Sequence, residues 1–139
     1  MAAFAKFQPF VENLAEKVFN LGSDTLKVLL TNTAPVNTNG LKSDLTEISA
    51  GSGYSAGGTA ATISSSAQSA GTYKLVLADV VFTASGGAIG PFRYAVLYDD
   101  TAASDQLIGY WDYASSITLA DGETFTWDAD ASNGILTLA

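Results

Sequence analysis

The chain has 139 residues, 47% of them hydrophobic and only 14% charged, with six basic against fourteen acidic residues and a net charge of −8. That length suits one domain with one core, and the basic residues (Lys6, Lys17, Lys27, Lys42, Lys74, Arg93) are never adjacent, which excludes the clustered cations needed for nucleic acid or an anionic membrane surface. With no Cys and no His, thiolate nucleophiles, imidazole bases, Ser-His-Asp triads, disulfides and Cys/His zinc sites are excluded as well.

The first helical signal lies at the N-terminus. Phe4, Phe7, Val11, Leu14, Val18 and Leu21 recur at spacings of three and four, which predicts one apolar helical face. Pro9 favours a first turn, so the helix is expected from about Pro9 to Asn20, stopping at Gly22 as its C′ residue. Met1 to Gln8 is then an arm carrying Phe4 and Phe7. Arm and helix, residues 1–22, either cap an open end of the fold or dock on a neighbouring subunit.

Residues 23–139 read as β-structure. Asp24 to Asn32 is a first strand with Leu26, Val28 and Leu30 on one face, since side chains alternate along a strand. TAPVNTNG (33–40) is a turn-rich loop, and Lys42 to Ile48 fits an edge strand or a helical turn. AGSGYSAGG (50–58) surrounds Tyr54 with glycines but lacks the Gly-Lys-Ser/Thr ending of a phosphate loop. Thr62 to Ser66 suits a solvent-facing strand, and Ala67 to Gly71 a turn. In TYKLVLADVVFTA (72–84), Tyr73, Leu75 and Leu77 share one parity while Val80 and Phe82 share the other. A parity change at Ala78-Asp79 predicts a bulge or a strand that crosses between sheets.

The centre of the fold is expected at a hairpin: a strand from Phe92 to Asp99, a turn from Asp100 to Asp105 and a strand from Gln106 to Tyr113, with a third strand entered after it. Phe92, Tyr94, Val96 and Tyr98 form one face, and Leu107, Trp111 and Tyr113 another. An Asp-Gly turn at 121–122 precedes a strictly alternating strand in which Phe125 and Trp127 point inward, and Ile135 to Leu138 is a last, paired strand. Seven or eight short strands with turns between them predict an all-β, β-sandwich or jelly-roll-like domain with one N-terminal amphipathic helix.

Acidic residues are the remaining candidates for chemistry. Asp99, Asp100 and Asp105 cluster at the hairpin turn, where oxygen ligands could serve Ca²⁺, but the run lacks the glycine and glutamate of an EF-hand loop. Asp112 and Asp128 beside Trp111, Tyr110, Tyr113 and Trp127 could furnish a glycosidase pair, although so short a chain leaves little room for a sugar cleft. A carbohydrate-binding module is the stronger rival, with Tyr94, Tyr98, Tyr110 and Trp111 as stacking rings. Neither a cofactor nor a catalytic residue is expected. No apolar run nears the ~20 residues of a membrane span, and the N-terminus lacks the apolar region of a signal peptide. Low charge and abundant Ser, Thr, Ala and Gly suit a surface packed against neighbours, or a secreted β-domain.

Five phrases carry a resemblance: ENLAEKVFNLGSDTLKVLLTNTAP (12–35), DLTEISAGSGYSAGG (44–58), YKLVLADVVFTASGGAIGPFRYAVLYDDTA (73–102), LIGYWDYASSITLADGETFTWD (107–128) and NGILTL (133–138). In texture and order they resemble small virion structural proteins of tailed bacteriophages, in particular head-decoration or cement proteins. The resemblance implies a sandwich subunit, often a homotrimer, made in the host cytoplasm. It would bind the major capsid protein on the outside of the shell and stabilise the virion. Phe4, Phe7 and Phe10 of the arm, together with Tyr54 in the glycine loop, are the expected partner contacts.

Overall fold

The computed structural model describes residues 2–139. In chain order the elements are β1 (Phe4–Lys6), α1 (Pro9–Ala15), β2 (Leu26–Thr31), β3 (Thr59–Ala61), β4 (Ile63–Ser69), β5 (Thr72–Leu77), β6 (Val80–Thr83), β7 (Ile89–Asp99), β8 (Leu107–Leu119), β9 (Thr124–Trp127) and β10 (Leu136–Leu138), with one 3-10 turn at Lys42–Asp44. Strands hold 47% of the chain and helical turns 7%, so the fold is all-β with one short helix.

Three antiparallel sheets form a sandwich-like arrangement: a five-stranded sheet in the order β1-β8-β7-β2-β3, a three-stranded sheet β10-β5-β4 and a ribbon β6-β9. This division into five, three and two strands differs from the paired four-stranded sheets of a jelly roll. The parity change at Ala78-Asp79 marks a crossing: β5 belongs to the three-stranded sheet and β6 to the ribbon. Asp79 secures it by accepting a hydrogen bond from the Ala129 N–H at 2.8 Å.

The main core lies between the sheets and includes Leu26, Val28, Leu30, Leu75, Leu77, Phe82, Phe92, Leu97, Trp111 and Trp127. Trp127 meets Trp111 edge-on at 5.0 Å, a preferred aromatic geometry. The five-stranded sheet is also buried on its outer face. There Phe7, Leu29, Val96, Tyr98 and Leu107 form a second cluster, with Leu45 and Tyr110 against it. The long connection from β2 to β3 supplies the cover.

That cover is pinned by one polar network. Glu47 Oε1 accepts hydrogen bonds from the Tyr54 hydroxyl and the Gly57 N–H, both at 2.6 Å. The Tyr54 hydroxyl in turn accepts from the Leu30 N–H at 3.0 Å, and the Tyr98 hydroxyl donates to the Gly57 carbonyl at 2.7 Å. Gly58, at φ +79°, lies so close to β2 that a Cβ there would overlap the Val28 carbonyl oxygen. Only glycine combines that approach with that φ.

Several sequence expectations need correction. The helix ends at Ala15, well before Gly22, because Lys17 adopts φ 67°. The Val18 N–H then bonds the Asn13 carbonyl at 2.9 Å, the closing bond of a Schellman motif with a lysine where glycine is usual. The apolar stripe is rotated too: Phe10 is buried while Val11 is 52% exposed. The regular spacing of Phe4 and Phe7 with the helix is fortuitous, because those residues belong to a strand and the turn after it.

The hairpin also differs. Phe92 and Leu97 face the main core whereas Val96 and Tyr98 face the outer cluster, because the β7–β8 register shifts at three places. Bulges break the period of two that the face assignment assumes. The strand expected to end at Tyr113 continues to Leu119, and β4 runs through Ser69 to a two-residue turn at Ala70-Gly71.

Candidate interaction surface

The two long edges of the sandwich are finished differently. Where β3 and β4 lie, the chain passes from one sheet to the other through Thr62 alone. On the opposite side β1 and β10 are the terminal strands of their sheets, and α1 sits beside them. Phe10 and Leu14, one turn apart on the helix, belong to the main core or pack against it, but seven residues of helix are too few to fill the opening.

A groove remains on both sides of α1. One cavity, about 650 Å³, is lined by the chain after the helix (Val18, Phe19, Leu21) together with Tyr73, Ala102 and Leu138. The other, about 420 Å³, lies between β1 and β10 and includes Phe4, Val11 and Leu136. Both include Leu14 and Leu138, so the two adjoin. Leu138 is 57% exposed. β10 reads Leu-Thr-Leu and carries none of the charges, prolines or bulges that usually guard a free sheet edge.

Lys6 and Lys17 stand in the groove wall, and the two ion pairs among the described residues lie elsewhere: Lys27 with Asp100 at 3.3 Å and Arg93 with Asp112 at 2.7 Å. Glu12 and Glu16 are on the same helical segment, exposed and outside the lining. Asp24 contributes the acidic atoms at one end. It faces Asp99, whose carboxyl is fully buried. Asp99 Oδ1 accepts from the Thr101 and Ala102 N–H groups at 2.9 and 3.1 Å, while Oδ2 has no protein donor. Burial and the hydrogen bond to Asp24 push the Asp99 carboxyl up to about 7.

The expected contact residues lie mostly inside the subunit. Phe7 and Phe10 are buried in the outer and main cores respectively, and Tyr54, carried by the long loop, is buried in the main core. Burial and the Glu47 carboxylate raise the Tyr54 hydroxyl far above its ordinary range, so it stays a neutral donor. Phe4 and Phe10 line the groove, Phe4 tilted against Trp111 at 5.3 Å. The expected arm is strand β1, paired with β8 of its own chain.

The sugar-stacking face does not assemble. Tyr94, Tyr98 and Trp111 are buried, and Tyr110 packs on the outer cluster. Asp112 is held by Arg93, whose guanidinium keeps its carboxyl below the usual range, while Asp128 is exposed. The hairpin-turn acids diverge: Asp99 points inward, Asp100 meets Lys27, and among the described residues no three acidic side chains converge on a cation position.

Sequence reading missed the groove and the Asp24–Asp99 pair. The first depends on which strands end each sheet, and the second joins residues far apart in sequence with no local pattern. The Leu-Thr-Leu edge was the available signal. No family model, curated protein or solved structure matches this chain.

Proposed function

We propose that this chain is a non-catalytic virion structural protein of a tailed phage, a decoration subunit that binds the major capsid protein on the outside of the assembled shell. The observation that carries the proposal is the uncovered apolar groove at the β1/β10 edge of a sparsely charged protein. An apolar lining with lysines in its wall is complementary to an apolar segment flanked by acidic residues. An extended strand of that chemistry, laid beside β10, would satisfy the free backbone edge and cover Val11, Leu14 and Leu138 together.

The resemblance to head-decoration proteins supports the same reading, as does the low charge, since the buried centres of interfaces are depleted in charged residues. Stabilisation would follow from mass action: a subunit that binds only the expanded lattice shifts the equilibrium toward it. Association into homotrimers would multiply individually weak contacts over the shell.

Co-sedimentation with expanded heads stripped of the protein, beside unexpanded proheads, tests the reading. Saturable binding to expanded heads alone, with a rise in their melting temperature, is the expected result. A folded protein that binds neither particle would overturn it.

A further inference from the structure

The end of the groove nearest β2 is closed by chain held in place around two carboxyl groups. The connection from α1 to β2 runs past the turn that follows β7 and touches it at several points. The Thr25 N–H donates to Thr101 Oγ1 at 2.8 Å, the Asp100 N–H donates to the Thr25 carbonyl at 2.8 Å, and Asp24 Oδ2 accepts from the Asn20 N–H at 2.8 Å. Leu26 pairs with Asp99 across β2 and β7, so Asp24, two residues earlier, lies diagonally beside the buried Asp99 carboxyl. Two ionised carboxylates in such contact repel, and a buried carboxylate oxygen without a donor is costly. One proton removes both penalties, because a carboxyl O–H donates to the carboxylate facing it.

We propose that the buried Asp99 carboxyl keeps its proton, donates it in a hydrogen bond to Asp24, and so acts as a pH-released latch on the chain that closes this end of the groove. The surrounding charges do not provide a substitute for the proton. Asp100 is engaged by Lys27 on β2. Asp105, in the same turn, adds only negative charge. Lys17 lies in the cavity wall and makes no ion pair with either member.

The chain is well suited to show the effect, because it has no His and no Cys. Apart from the terminal amine, no side chain of ordinary pKa titrates between about pH 5 and pH 8. The sign is fixed. Asp99 rises from 3.8 to about 7 on folding, so the native state holds the proton longer than the unfolded chain does. Stability is therefore greatest on the acid side, falls as pH rises toward 7 and levels off above it. The latch does not depend on what the groove binds.

The test compares wild type with Asp99→Asn, whose amide keeps an acceptor for Thr101 and Ala102 and gives Asp24 a permanent donor, and with Asp24→Asn. Thermal unfolding would be followed from about pH 5 to about pH 8, with hydrogen exchange read at the Asn20 and Thr25 amides. In wild type the melting temperature is expected to fall across the window. After correction for intrinsic exchange, protection of those two amides should fall with it. Asp99→Asn should flatten both curves and melt above wild type at the alkaline end. Superimposable pH profiles for wild type and both variants would overturn the latch. So would full recovery of alkaline stability on adding CaCl₂ to wild type but not to Asp99→Asn, since the pair would then be serving a cation and not a proton.

Discussion

At the β3/β4 edge of the sandwich a single residue, Thr62, carries the chain from one sheet to the other, and that side is closed by covalent continuity. At the β1/β10 edge two sheets end separately, and a two-turn helix bridges part of the gap. The same chain thus builds one edge that offers nothing to a partner and another that leaves Val11 and Leu138 more than half exposed. Local composition adds to the difference, since β4 is itself a free edge but reads Ile-Ser-Ser-Ser-Ala-Gln-Ser, largely exposed and polar, where β10 reads Leu-Thr-Leu. An exposed edge becomes a candidate interface when it is also apolar and unguarded.

The interior sets the scale against which the open edge is measured. Trp127 is almost completely buried and lies against Trp111, so Trp127→Ala should cost about 3–5 kcal/mol in urea unfolding. The next largest effect is expected at the loop that covers the outer core. Glu47→Ala removes the acceptor shared by the Tyr54 hydroxyl and the Gly57 N–H, a loss of about 2 kcal/mol if both donors are left dry. It should also speed proteolysis between Leu41 and Gly58, while leaving the open edge unaffected. At the end of α1 the sign reverses. Lys17→Gly relieves a left-handed backbone and should stabilise the protein by about 1 kcal/mol in the same assay. Smallest of all is Val11→Asp with Leu138→Asp: both side chains are more than half exposed, so unfolding should shift by no more than about 0.5 kcal/mol. If that double substitution unfolds the protein, the edge belongs to the core and is not a docking surface.

How far the sequence could be read divides along the same line. Strands with undisturbed alternation were legible: Phe125 and Trp127 turn inward as their parity requires, and the parity break at Ala78-Asp79 coincides with the passage between sheets. The hairpin faces were not, because bulges in the β7–β8 pairing shift the parity without a sequence mark. The helix was overextended because Lys17 takes a conformation for which glycine is the usual signal. Phe7 and Phe10 look like an exposed aromatic arm in a linear sequence. They are buried because the chain turns after β1 and sends the two rings into different cores. Tyr54, in a glycine-rich loop, is buried through contacts with Glu47 and Leu30 that only the folded loop creates.

The most direct test of the docking surface is quantitative co-sedimentation of the Val11→Asp, Leu138→Asp protein with expanded heads, beside wild type and with folding verified for both. Loss of saturable binding by the folded variant, with wild type still bound, is the expected result. Equal binding of the two proteins would contradict the assignment of the open edge as the surface that meets the shell.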